Sequence, residues 1–133
     1  MGLSYLSPIL KYSIYIFFLL KINSNNGENN MEKDLTIKKL QECIKSIDHK
    51  NSSNDKYMLK LMEEVGELAE VIRKNKRIEK GKSIKGTIEE ELQDVMYYIV
   101  CLANINDIDL QECIYLKEEL NCKKYNRNNM FDE

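Results

Sequence analysis

EELQDVMYYIVCLA, Glu90 to Ala103, is the stretch on which the fold turns. From Leu92 to Ala103 nearly every residue is apolar, and no glycine or proline interrupts the run. Thr87 followed by Glu90 fits a capping box, which predicts a helix from there to about Asn104. Such a helix is expected to be buried on most of its sides. Yet at about 100° per residue, Glu91, Asp94, Tyr98 and Cys101 share one stripe along it. Two carboxylates at i, i+3 beside a buried face are costly unless something compensates their charge.

The segment before it, RKNKRIEKGKSIKGT, carries seven basic residues and one acid between Arg73 and Thr87. With its two glycines it reads as a loop. Upstream, a second helix is expected from about Asp55 to Asn75, with Met58, Leu61, Val65, Leu68 and Ile72 as its core face. Glu64 then lies beside Leu61 and Leu68 on the flank of the apolar arc, and Glu67 sits one turn on. Glu63 and Glu70 point to the wetter side. NSSND, Asn51 to Asp55, supplies a loop and an N-cap for this helix. A first helix is expected from Asp34 to Asp48, with its stripe at Leu35, Ile37, Leu40, Ile44 and Ile47. A fourth runs from Asp109, capped through Glu112, to about Lys124.

Four helices in about 100 residues predict an all-α four-helix bundle. Its core is thin and the third helix is apolar nearly all round, so completion by homo-oligomerisation, as dimer or tetramer, is expected. The whole chain has 133 residues, with 43% hydrophobic and 32% charged, the balance of one soluble globular domain. Five glycines and one proline are too few for a many-stranded sandwich or barrel. Twenty basic against 22 acidic residues exclude a general nucleic-acid coat.

The expected domain spans 31–127, followed by a short tail, 128–133. Residues 1–30 are read as an extension outside the fold: an apolar run from Ile9 to Ile22, then an Asn-rich tract. Between Lys11 and Lys21 the uninterrupted piece is nine residues, against about 20 for a membrane span. No convincing cleavage site follows it. Met31 is therefore the expected start, with a membrane anchor or signal as the alternative. Cys43, Cys101, Cys113 and Cys122 form no C-x-x-C pair, and His49 is the lone histidine. A Cys/His zinc site has no spacing to stand on, and free thiols in a reducing, cytoplasmic compartment are expected, with buried packing roles for those on apolar helical stretches.

If the pairs Glu64/Glu67 and Glu91/Asp94 face each other, four carboxylates would repel and take up protons unless a cation held them. All-oxygen ligation suits Mg2+, with Mn2+ as a substitute. The plainer alternative is that the acids are solvated or paired with lysines.

KLMEEVGELAEVI, Lys60 to Ile72, resembles the E-E-x-x-E signature of the MazG-like all-α nucleoside triphosphate pyrophosphohydrolases. EELQDVMYYIVCLA resembles their E-x-x-D helix, and DLQECIYLKEELNCKKY, Asp109 to Tyr125, their closing K-x-x-x-N-x-x-K/R-Y helix. EVGELAE and DVMYYIVCLA are most similar to the dCTP pyrophosphatase type. The resemblance implies Glu64, Glu67, Glu91 and Asp94 as catalytic magnesium ligands, with Glu63 and Lys60 in support. It implies Tyr98 in the nucleotide pocket and Lys117, Asn121 and Lys124 toward phosphate, sugar or base. The implied reaction is attack of water between the α- and β-phosphates, releasing a nucleoside monophosphate and pyrophosphate, in nucleotide-pool housecleaning. Tryptophan, frequent in the base pocket of dCTP-preferring relatives, is absent; Tyr57, Tyr97 and Tyr98 are the candidates to stack on a base. A di-iron bundle wants two Glu-x-x-His pairs, which His49 alone does not provide. A non-catalytic helical interaction module that keeps the fold is the remaining alternative.

Overall fold

Each helix begins where a short polar side chain takes over an N–H group that the helix cannot satisfy. The computed structural model describes residues 34–48 and 52–132. Among them are four helices: α1, Ile37–Ile47; α2, Asn54–Arg73; α3, Ile88–Ile105; and α4, Leu110–Tyr125. Thr36 accepts from the Lys39 N–H (3.1 Å), Ser53 from Lys56 (3.4 Å), Thr87 from Glu90 (3.4 Å) and Asp109 from Glu112 (3.0 Å). α1 starts later than expected because Thr36 is the cap, which leaves Leu35 outside it and exposed. The apolar run Ile9 to Ile22, Met31 and His49 lie outside the described residues.

Residues from Thr36 onward make one unit. α3 packs along α2 on one side and α1 on another, while α4 leans on α1. The core is Leu40, Ile44 and Ile47 of α1, Tyr57 and Val71 of α2, and Tyr97, Val100 and Ala103 of α3. Gln41 fastens α1 to the α3–α4 turn: its amide donates to Asn104 Oδ1 (3.2 Å) and the Ile108 carbonyl (2.8 Å), and its oxygen accepts from the Leu110 N–H (2.9 Å). Asn54 and Asn106 bond reciprocally and hold the start of α2 to the same turn.

Two expectations about faces are corrected. On α2 the buried positions are Tyr57, Glu64 and Val71, with Leu61 and Leu68 half-buried, whereas Met58, Val65 and Ile72 are exposed. The centre of the inward face is thus turned by roughly 60°. It places Glu64 under α3 instead of on a flank. On α3, Leu92, Met96 and Ile99 remain open, so a single chain covers less of this helix than its composition implies. The four cysteines are free, but only Cys101 is buried and Cys113 is exposed. No helix among the described residues is long and apolar enough to cross a membrane.

Candidate active site

The packing of α2 on α3 brings carboxylates of the two helices together. Glu64 sits midway along the buried face of α2, three residues from Glu67; Glu91 and Asp94 lie on the first two turns of α3. Carboxylate oxygens of Glu64, Glu67 and Glu91 all come within 4.8 Å of one another. Glu64, Glu91 and Asp94 are only 3%, 5% and 7% exposed; Glu67 reaches solvent. Of the four acids expected to meet, Glu64, Glu67 and Glu91 converge; Asp94 lies outside that group and feels it through charge.

Their charges are poorly compensated. Burial, and then the neighbouring Glu67, push the Glu91 carboxyl up to about 7. Burial, and then Glu64, push Asp94 up to about 7, and Glu64 is raised by burial and by Glu67. Glu91 Oε2 is buried without a hydrogen-bond partner. An orphaned buried carboxylate oxygen is rare in proteins because it forfeits its hydration. Lys60 lowers Glu64 in part, but its ammonium is already engaged by Glu63 at 2.6 Å. Glu63 and Lys60 thus form an exposed pair at the rim, and Glu70 is exposed and bound to Lys74.

Tyr98 stands next to this cluster: after burial, Glu64 contributes most to raising its hydroxyl. The ring of Tyr97 meets that of Tyr98 edge-on with centroids 5.2 Å apart, and Tyr57 lies 6.3 Å away. The Tyr57 hydroxyl donates to Asp48, the C-cap of α1. All three tyrosines are buried, and of them Tyr98 adjoins the acids. Cys101, fully buried beside them, has its thiol pushed up to about 12 by burial.

Lys117 and Asn121 are elsewhere. They line an apolar cavity of about 430 Å³ with Met96 and Ile99, which lie on the α3 face opposite Glu91 and Asp94. Lys124 lies over the Tyr125 ring, 5.1 Å from its centroid. One chain therefore brings Tyr98 to the acids but not Lys117 or Asn121.

Two residues important to these sites escaped the sequence reading. Glu90 accepts from the Gly86 N–H and adds its negative charge to Glu64, Glu91 and Asp94. Its capping-box position was visible, but its electrostatic reach was not. Glu118, the one buried residue of α4, binds the Arg127 guanidinium through both carboxylate oxygens and accepts from the Met130 N–H at 2.9 Å. No helical spacing signals a partner nine residues away beyond the end of the helix.

A family model described as the MazG nucleotide pyrophosphohydrolase domain matches residues 52–129. Two crystal structures of iMazG from Vibrio DAT 722 superpose with TM-scores of 0.61 and 0.59, at 44% and 42% identity. They cover 70% and 65% of this chain, and 100% and 98% of those chains. Mouse dCTP pyrophosphatase 1 is 34% identical over 73 residues, which is 51% of this chain and 43% of that protein. Protein YpjD of Bacillus subtilis is 42% identical over 57 residues, 41% of this chain and 51% of that protein. The chain thus spans about half the length of these two relatives.

Proposed function

The chain belongs to the MazG nucleotide pyrophosphohydrolase family, and from that membership we propose that it hydrolyses nucleoside triphosphates between the α- and β-phosphates. The observation that carries the reading is the meeting of Glu64, Glu67 and Glu91, with Glu91 Oε2 buried and unpartnered. Solvated or lysine-paired acids would look like Glu63 and Glu70; buried Glu64 and Glu91 do not.

The donor set fits a hard divalent cation, Mg2+ with Mn2+ as a substitute, held by Glu64, Glu67, Glu91 and Asp94. When bound, the ion supplies Lewis acidity toward phosphoryl oxygens and water. The buried carboxylates fix that charge in a poorly hydrated place, where it acts more strongly than in water. Water adds to the α-phosphorus, the bond to the α–β bridging oxygen breaks, and monophosphate and pyrophosphate leave. The proton lost by the water passes to a carboxylate of the cluster. Tyr98, wedged between Tyr57 and Tyr97, holds the acid-bearing faces of α2 and α3 in register. Mouse dCTP pyrophosphatase 1 makes dCTP the first substrate to try.

A second copy belongs to the same proposal. The open apolar face of α3, with Leu92, Met96 and Ile99, calls for a cover. Lys117, Asn121 and Lys124 reach a substrate on the acid cluster only if a neighbouring copy carries them there. A dimer or tetramer supplies both. A dilute sample that sediments as a monomer with full activity would refute this part.

The test of the reaction is a panel of ribo- and deoxynucleoside triphosphates with Mg2+, scored for pyrophosphate against orthophosphate. Pyrophosphate and monophosphate in equal amounts are expected. Orthophosphate as first product, or no turnover across the panel, overturns the reading.

A further inference from the structure

The acid cluster raises a problem that its own residues leave unsolved: a triphosphate is strongly anionic, and the site it must approach is built of carboxylates. Among the described residues the main charges acting on Glu91 and Asp94 are other carboxylates, and the Lys60 ammonium near Glu64 is already paired with Glu63. Lys117 faces the apolar cavity on the far side of α3. Positive charge is instead concentrated in the α2–α3 loop, where six cations and one acid lie between Lys74 and Thr87 of a chain with net charge −2.

This loop is tied down at the end of α3 that carries Glu91. The Ile88 N–H donates to the Lys76 carbonyl at 2.9 Å. Glu89 accepts from the Ile78 N–H at 3.1 Å and from Arg77 Nε at 2.7 Å. The Gly86 N–H donates to Glu90, whose charge is felt throughout the cluster. Both ends of the loop are thus anchored on residues one and two positions before Glu91. The positive φ values of Gly81 (77°) and Gly86 (72°) turn the chain between these anchors, a conformation that favours glycine. Lys74 is paired with Glu70, Arg77 with Glu89 and Lys82 with Glu79. Lys76, Lys80 and Lys85 are exposed and make no ion pair among the described residues.

We propose that the Lys74–Gly86 loop is the polyphosphate-receiving arm of the site: Lys76, Lys80 and Lys85, anchored beside Glu91, draw in the substrate's β- and γ-phosphates and hold the pyrophosphate leaving group. Resting on the hydrolytic reading above, it adds residues that no acid motif contains. Physically the arm divides the labour. The carboxylates receive the cation, and the loop receives the anionic tail that the carboxylates repel. Attraction of this kind acts over about a Debye length, roughly 8–10 Å near physiological salt, and is screened as salt rises.

The experiment titrates magnesium pyrophosphate into the full-length chain by calorimetry at several NaCl concentrations, in parallel with kcat/KM on the triphosphate panel. The variant is Lys76→Gln/Lys80→Gln/Lys85→Gln. A control, Lys38→Gln/Lys45→Gln/Lys123→Gln, makes the same change in net charge on α1 and α4. At low salt the loop variant should bind pyrophosphate about tenfold more weakly and lose most of the salt dependence, while the control stays near wild type. Turnover that proceeds with unchanged pyrophosphate affinity in the loop variant overturns the arm and leaves the hydrolytic reading standing. Loop-dependent pyrophosphate binding without turnover on any triphosphate supports the arm and overturns the hydrolytic reading. Equal losses in loop variant and control reduce the effect to net charge and overturn the arm. So does loop-dependent binding of a single-stranded oligonucleotide in place of pyrophosphate.

Discussion

Two sites hold buried carboxylates, Glu118 on α4 and the cluster between α2 and α3, and their carboxyls shift in opposite directions. Glu118 is 2% exposed, yet Arg127, the Met130 N–H and Cys122 hold its carboxyl well below the usual range, at about 2. Glu91 and Asp94 are scarcely more exposed, and burial drives both up to about 7. The difference is in the partners. Glu118 has its donors inside the chain and so belongs to the architecture, fastening residues 127–130 back onto α4, next to Phe131 stacked edge-on against Tyr115. The α2–α3 cluster has none to match among the described residues. A buried acid with a complete set of donors is structural; one without them is a place for a cation.

The comparison breaks first under substitution. Glu64→Gln or Asp94→Asn should lower turnover by about three orders of magnitude, the scale of losing a principal electrostatic group at a reaction centre. The metal-free fold should stay intact or gain stability, because each change removes one charge from a repulsive set. Circular dichroism and a pyrophosphate-release assay decide it: lost helix content would make these acids structural, like Glu118. Glu70→Gln, exposed and outside the cluster, should change little.

Cation binding sharpens the contrast next. A cation that binds the folded state alone stabilises it by about 2.7 kcal/mol at a hundred times its Kd. Melting in chelator against saturating Mg2+ should therefore differ by several degrees, and Glu64→Gln should abolish the difference. Glu118→Gln should keep it. That second variant has the complementary signature, a melting temperature several degrees lower at any Mg2+ concentration with kcat within about twofold, because it leaves Arg127 and the Met130 N–H without their acceptor. A Glu118 variant that lost turnover without losing stability would undo the assignment.

The sequence disclosed one of these sites and hid the other, for physical reasons. Caps are local, so Thr87 with Glu90 and Asp109 with Glu112 located the starts of α3 and α4. The acid pairs were legible because a carboxylate within an apolar helix is anomalous by itself. Which edge of α2 turns inward was not legible. Met58, Val65 and Ile72 make as good a stripe as Tyr57, Glu64 and Val71, one residue away, and only packing against α3 selects between them. The cost of hiding Tyr57 is met by Asp48, on another helix. Lys117 and Asn121 share a face of α4 as expected, but where that face points depends on how α4 leans on α1.

The smallest expected effect is in pH, where the two sites should pull in opposite directions. An acid whose folded value is raised binds more protons in the native state than in the unfolded chain, so its stability contribution falls as pH rises. For Glu91 and Asp94 the window runs from the ordinary values of 4.5 and 3.8 up to about 7. Glu118 has a lowered folded value, so its contribution is present above the ordinary 4.5 and disappears as pH falls toward about 2. In chelator, the melting temperature should therefore decline by a few degrees between pH 5 and pH 7.5, and it should fall again below pH 4. Saturating Mg2+ should flatten or invert the upper slope, since the ion favours the ionised carboxylates, and leave the acid limb where it was. Scanning calorimetry from pH 3 to pH 8, with and without the ion, measures both limbs at once. A chelated protein that grows more stable from pH 5 to pH 7.5 would show that Glu91 and Asp94 have found their partners within the chain, and the two sites would then be alike.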